Sequence, residues 1–221
     1  MRTKPQSGFT LPELLVALLI FSLVATAAVF ALRLGVNARE QLTRASGTLA
    51  DWQAARIIIK EDLAGMVVRP VRDEFGSPAG PPFRGGMEAY ERNAPRGETR
   101  LAAFVRAGWS NPGGDAPRSN LQHVEYLYRD GALVRRIRPF IDDARGQKRF
   151  ERALLRDIGD VEMNFLTGEV RGELDWAAAW PLPQLRQPFP MALSIAVRSG
   201  RFGEVEQLFW IGPLAVEGGR K

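Results

Sequence analysis

A single histidine, no cysteine and a modest set of acids bound the chemistry open to this 221-residue chain. His123 would have to serve as the base of any serine triad, yet the hairpin register derived below sets it opposite Arg138. A neighbouring cation lowers the basicity of such a ring. Zinc lacks a cysteine or a second histidine to bind. Asp115, Asp142 and Asp143 offer oxygens to calcium without a recognisable ligand spacing, and solvated acids are the plainer reading. No phosphate-cradling glycine loop follows a strand. No catalytic residue, cofactor or metal site is therefore expected. The residue that demands a chemical account is Glu13, a carboxylate at the mouth of an uncharged run from Leu14 to Leu32.

Those roughly 19 residues span about 28 Å as a helix, close to the hydrocarbon thickness of a bilayer. A carboxylate costs about 2.5 to 3.5 kcal/mol at the middle of such a helix and less near its end. The cationic amino terminus of a neighbouring subunit would offset that cost, and the positive end of the helix dipole would stabilise the carboxylate further. Pro12 clashes with the carbonyl four residues back, that of Gly8. A cut after Gly8 removes that carbonyl and leaves Pro12 in a first turn, where its missing N–H has no partner anyway. The mature helix is therefore expected to be intact. Arg2 and Lys4 favour a cytoplasmic N-terminus, although Arg33 and Arg39 just past the run weaken the asymmetry. The net charge of +5 is mild and its arginines are scattered among acids, so no nucleic-acid partner is expected.

Three readings of this segment compete. A secretory signal cleaved after Ala27 explains the basic start and the small residues 25–27, but not Glu13 or the apolar residues beyond. A plain single-span anchor also leaves Glu13 unexplained. The third reading accounts for it: residues 8–18, Gly8-Phe9-Thr10-Leu11-Pro12-Glu13 and the apolar run after them, resemble the class III leader junction of type IV pilins and type II secretion pseudopilins. The resemblance implies cleavage between Gly8 and Phe9 by a prepilin peptidase, N-methylation of Phe9, and a role for Glu13 in recruiting and aligning subunits.

Beyond Leu32 the helical pattern turns amphipathic, with Leu42, Ala45, Leu49, Trp52, Ile59, Leu63 and Met66 on a seam interrupted by Arg56. Lys60, Glu61 and Asp62 contribute to a polar face. One helix of about 50 residues is expected, with a half-buried second half; the alternative is a break at Gly35 to Asn37. Residues 69–98, rich in proline and glycine, read as an irregular surface connection. Strands with a period of two are predicted over 99–106, 121–129, 132–138, 161–166, 191–198 and 205–211. The turn Asp130-Gly131 fixes one hairpin register, with Tyr128, Tyr126 and Val124 opposite Leu133, Arg135 and Ile137 on one face. Leu127, Glu125 and His123 stand opposite Val134, Arg136 and Arg138 on the other. A second hairpin joins the last two strands. Residues 180–190, proline-rich, read as a rigid crossover or as a polyproline recognition segment.

A second resemblance lies in this half. Residues 108–112, 118–126 and 130–136, with the strand entry Pro190-Met191-Ala192-Leu193, are similar to the J family of minor pseudopilins. His123 departs from that pattern, standing where an arginine is expected. The resemblance implies a pilin-like α+β fold, a long N-terminal helix packed on a mainly antiparallel sheet. Its parts are a cleaved leader at 1–8, a transmembrane helix at 9–33, a stem at 34–68 and a periplasmic head at 69–221. It further implies a non-enzymatic subunit of the inner membrane that works at the pseudopilus tip with the I, K and H minor pseudopilins and the major pseudopilin. A minor pilin of a type IV pilus or DNA-uptake machine is the nearest alternative. Of the tryptophans, Trp109 and Trp176 are candidates for a partner-facing surface, since aromatic residues commonly anchor interfaces.

Overall fold

The structure, a computed structural model, describes residues 10–73, 75–78, 80–86, 97–108, 119–143 and 146–211. It opens with helix α1, Leu11–Ala64, 54 residues without interruption. Pro12 sits in its first turn and does not disturb it, and neither Gly35 nor Gly47 breaks it. The helix ends where Gly65 meets a strand: the Ala107 N–H donates to the Gly65 carbonyl at 2.8 Å, and the Val67 N–H to Val105 at 3.0 Å. A Cβ at residue 65 would lie 3.0 Å from the Ala107 oxygen, so the exit needs a small residue.

The chain divides into two compact units, Met1–Ala50 and Asp51–Lys221. In the first, most described residues of the helix are exposed, Leu42 and Leu49 included, while Ala25, Ala45 and Thr48 are half-buried. Among the described residues of α1, burial begins at Trp52. In the second unit Trp52, Ala55, Ile59, Leu63 and Met66 are buried at three- and four-residue steps. Ala55 takes the place on the seam that Arg56 interrupts, and the Arg56 guanidinium lies 5.4 Å from the Phe209 ring centre.

Two antiparallel sheets follow. The first is a meander of β1 (Phe83–Gly85), β2 (Glu98–Arg106), β3 (Gln122–Arg129), β4 (Ala132–Arg138) and β5 (Phe150–Leu155) in that spatial order. The second contains β6 (Ile158–Val170), β7 (Glu173–Ala177), β8 (Ala192–Ser199) and β9 (Gly203–Trp210), ordered β7-β6-β8-β9. The β3–β4 register agrees with the sequence reading at all six pairs. Its turn has positive φ at both Asp130 (51°) and Gly131 (69°), the backbone that Asp-Gly favours. The β8–β9 hairpin is also present.

Three strands escaped the sequence reading. β1 lies within the stretch read as irregular; its Phe83 is fully buried and stacks on Phe104 at 5.7 Å. β5 and β7 are sheet edges with largely exposed side chains, so they lack a clean alternation. The inner faces of both sheets meet α1 in one core, with Phe104, Tyr126, Leu133, Met163, Phe165, Leu193 and Ile195 among its members. Trp180 and Phe189, at the two ends of the proline-rich segment, are buried there too. The Trp180 N–H and carbonyl both bond Gly85, at 2.8 and 3.0 Å. The segment is thus a crossover packed at both ends.

Asp62 also corrects the sequence reading. Rather than joining a polar face it is fully buried, facing the sheet. Tyr126 donates its hydroxyl to Oδ2 at 2.6 Å, Arg135 gives two bonds at 2.5 and 2.8 Å, and Arg106 pairs with Oδ1 at 2.5 Å. The carboxylate ties α1 to β2, β3 and β4 at once.

Candidate assembly site

Thr10 caps α1. Its carbonyl accepts the Leu14 N–H at 3.2 Å, while Glu13 reaches back so that Oε2 accepts both the Thr10 N–H and the Thr10 hydroxyl at 3.0 Å. This is the returning half of a capping box, in which the third helical residue accepts the N–H of the capping residue. The sequence T-x-x-E signals it, and the reading of Glu13 as a pairing group passed over it. The carboxylate therefore has a partner inside its own chain and remains exposed on its outer side.

From Glu13 onward, α1 contains a stretch long and apolar enough to cross a membrane. Leu15, Leu19, Phe21, Val24 and Phe30 are all more than half exposed. Hydroxyls along the helix are satisfied locally: Ser22 donates to the Leu19 carbonyl at 2.8 Å, and Thr26 to Ser22 at 2.7 Å. Such bonding suits an apolar surrounding, where an unpaired hydroxyl is costly. Beyond that stretch, among polar and charged neighbours, Leu42 and Leu49 are 69% and 53% exposed.

Gly8, Phe9 and Trp109 lie outside the described residues. Trp176 is 36% exposed on the edge strand β7. Its register links it through Leu166 and Ala192 to Trp210 on the opposite edge strand, so one row crosses all four strands. Trp210 is 64% exposed and was missed as a surface residue; the predicted β8–β9 hairpin, which sets it one residue beyond buried Phe209, was the available signal. Exposed tryptophans bounding a sheet face are suited to contact another protein. Glu13 belongs to the first unit of the chain and Trp176 to the second.

The groups considered for catalysis are placed otherwise. His123 is buried opposite Arg138, whose Nε lies 3.3 Å from the imidazole Nδ1. Burial, then the charges of Arg138, Arg100 and Arg149, hold its pKa well below 6.5. Asp142 accepts the Arg72 N–H at 2.9 Å and Asp143 pairs with Arg138 at 2.9 Å, so these acids are engaged rather than merely solvated. Among the described residues no three acids or histidines converge as a metal site.

Comparison with known proteins agrees with this anatomy. The family described as Type II secretion system (T2SS), protein J matches residues 31–211, and the prokaryotic N-terminal methylation motif matches residues 3–29. Type II secretion system protein J of Escherichia coli is 30% identical over 219 residues, covering 95% of this chain and 98% of that protein. Its counterpart from Vibrio cholerae is 27% identical over 206 residues, covering 93% and 87%. Among solved structures, a chain of the GspK-GspI-GspJ complex from the enterotoxigenic Escherichia coli type 2 secretion system superposes with a TM-score of 0.59 at 28% identity. That match covers 75% of this chain and 97% of the other. With an N-terminal methylation motif, a helix able to span a membrane and a two-sheet head matched along most of its length, the chain belongs to the family of type II secretion system protein J.

Proposed function

We propose that the protein is a minor pseudopilin of a type II secretion system, anchored in the inner membrane by α1 with its head in the periplasm. It joins the I and K minor pseudopilins, and through them the H and major pseudopilins, in the complex at the pseudopilus tip that supports export of folded proteins. The observation that carries this reading is the exposed stretch of α1 after Glu13, long and apolar enough to cross a membrane. Its membrane part would lie in lipid, and neighbouring stems would cover the rest. It acts by assembly and carries out no reaction of its own. The leader is cut between Gly8 and Phe9, Phe9 is N-methylated, and Glu13 pairs with the amino terminus of a neighbouring subunit. Trp109 and Trp176 face partners.

The mass and first residue of the protein isolated from native membranes test this. An N-methylated Phe9 is the expected outcome. A chain beginning near Ala28 would make it a secreted protein and defeat the assembly reading.

A further inference from the structure

The two sheets leave four edges, β1, β5, β7 and β9. Three of them are ill suited to receive another strand. β1 has three residues and β7 has five, and both β5 and β7 run beside a register shift in the pairing with their neighbour. The fourth, β9, pairs with β8 over eight residues without a shift and contains neither proline nor lysine. Natural sheets commonly blunt an edge with one of those devices.

The ladder fixes where the free backbone groups of β9 point. The Ile211 N–H donates to the Met191 carbonyl at 3.0 Å, and Trp210 stands opposite Ala192. Antiparallel pairs alternate, so Val205, Gln207 and Phe209 turn their backbone groups toward β8, while Glu204, Glu206, Leu208 and Trp210 turn theirs away from it. Among the described residues no other backbone group is bonded on that side. Phe209 and Val205 face the core, so the same four residues also send their side chains to the outer face of the sheet. Leu208 and Trp210 are more than half exposed there. Glu206 accepts the Ser194 hydroxyl at 2.5 Å, and its row, which runs through Ala196 to Glu162, holds two acids and no cation. Glu204, by contrast, stands opposite Arg198.

We propose that β9 accepts an extended segment of a partner protein as a fifth, antiparallel strand, with apolar side chains opposite Trp210 and Leu208 and a lysine or arginine opposite Glu206. Apolar and opposite-charge pairs across strands set that pattern, and antiparallel addition is the more stable pairing. In this mode backbone bonds supply affinity and side chains supply selectivity. A second copy of the chain fits less well, because antiparallel registers centred on β9 set Glu206 opposite itself, Leu208 or Trp210. Strand addition here involves the head alone, so its failure would leave the processing of Phe9, on which the assembly reading is tested, untouched.

The probe is a fluorescent peptide, acetyl-Thr-Val-Thr-Val-Thr-Lys-Thr-amide, whose valines and lysine fall opposite Trp210, Leu208 and Glu206 when it runs antiparallel. Its anisotropy with the full-length protein in zwitterionic detergent micelles should saturate, above the response to micelles alone. Hydrogen exchange should slow at the Glu206, Leu208 and Trp210 amides. The same peptide methylated on the nitrogens of both valines and the lysine cannot donate to the edge and should not bind. Leu208→Pro should fold, because an edge N–H turned outward has no partner to lose, and should weaken binding about tenfold. Glu206→Lys should weaken it about fivefold and favour a peptide with glutamate in place of the lysine. A response no greater than that of micelles alone, equal binding of the methylated peptide, unslowed exchange at the three amides, or an affinity unchanged by Glu206→Lys overturns the proposal. So does protection of those amides that grows with protein concentration in the absence of peptide, which would place a second copy on the edge.

Discussion

At Asp62 a carboxylate with no exposed surface faces two guanidinium groups and a phenol, all anchored on the sheet. Replacing it by alanine leaves Arg106 and Arg135 partly buried without their counter-charge, a change that costs about 3–5 kcal/mol in comparable sites. Asp62→Ala should lower the unfolding free energy by that amount, read as a lower denaturant midpoint at an unchanged slope on the full chain in detergent micelles. A loss below about 1 kcal/mol would mean that water replaces the carboxylate. The sequence hid this role because an acid beside Lys60 and Glu61 defaults to solvent. Only its spacing, three residues past Ile59 and one before Leu63, put it near the buried seam. Glu13 is the reverse case, since Thr10-x-x-Glu13 is a local capping signal carried by the sequence itself.

Among the elements, the hairpins were the most legible. Asp130-Gly131 demands left-handed backbone at both turn residues, and that fixes every pair of β3 and β4. Strand β1 was hidden because its three residues are too few to alternate, and it is held from both sides by β2 and by Trp180, 95 residues further along the chain. The residue that ends it, Gly86, carries a φ of 86°, and a Cβ there would meet the Ala178 carbonyl oxygen at 2.1 Å. Gly86→Ala therefore combines left-handed strain of about 1–2 kcal/mol with overpacking of about 1–3 kcal/mol. A fall in thermal midpoint is expected, together with faster hydrogen exchange at the Gly85 and Trp180 amides. An unchanged exchange pattern would show that the two backbones do not depend on this contact. Helix α1 was legible as one continuous element, because neither of its glycines outweighs the residues on either side.

For the whole molecule, stability should fall on both sides of a plateau. His123, held well below 6.5 by burial and then by Arg138, binds a proton more tightly in the unfolded chain, so stability declines as the pH drops through 6.5. One proton gives about 1.4 kcal/mol per pH unit. At Glu98 burial opposes ionisation, but Arg136 with Arg100 and Arg129 together lower its pKa from 4.5; Glu151 is lowered chiefly by its bond from Arg129. Both add to the decline below 4.5, again because the unfolded chain takes the proton more readily. Burial, and then Asp62, raise Tyr126 well above 10.0, so stability falls again as the unfolded phenol ionises beyond that pH. Thermal midpoints should therefore be flat between about 6.5 and 10. His123→Asn should remove the loss between 6.5 and 4.5 and keep the steeper one below it. Equal acid slopes in both proteins would count against a neutral buried His123.

The sequence by itself determined what depends on neighbours along the chain. These were the N-terminal methylation motif, the apolar span, one long helix and two hairpins, each set by a local pattern or a turn chemistry. It also carried enough of the family's motifs to place the chain. Tertiary structure alone decided where burial of the helix begins and which acids are enclosed. It also decided how Trp176 and Trp210 come to bound one row, and how Arg106 and Arg135 from separate strands meet at Asp62. Those outcomes depend on which distant strands pair. A local pattern limits such pairings but does not choose among them, because each is selected by the burial and charge balance of the whole core.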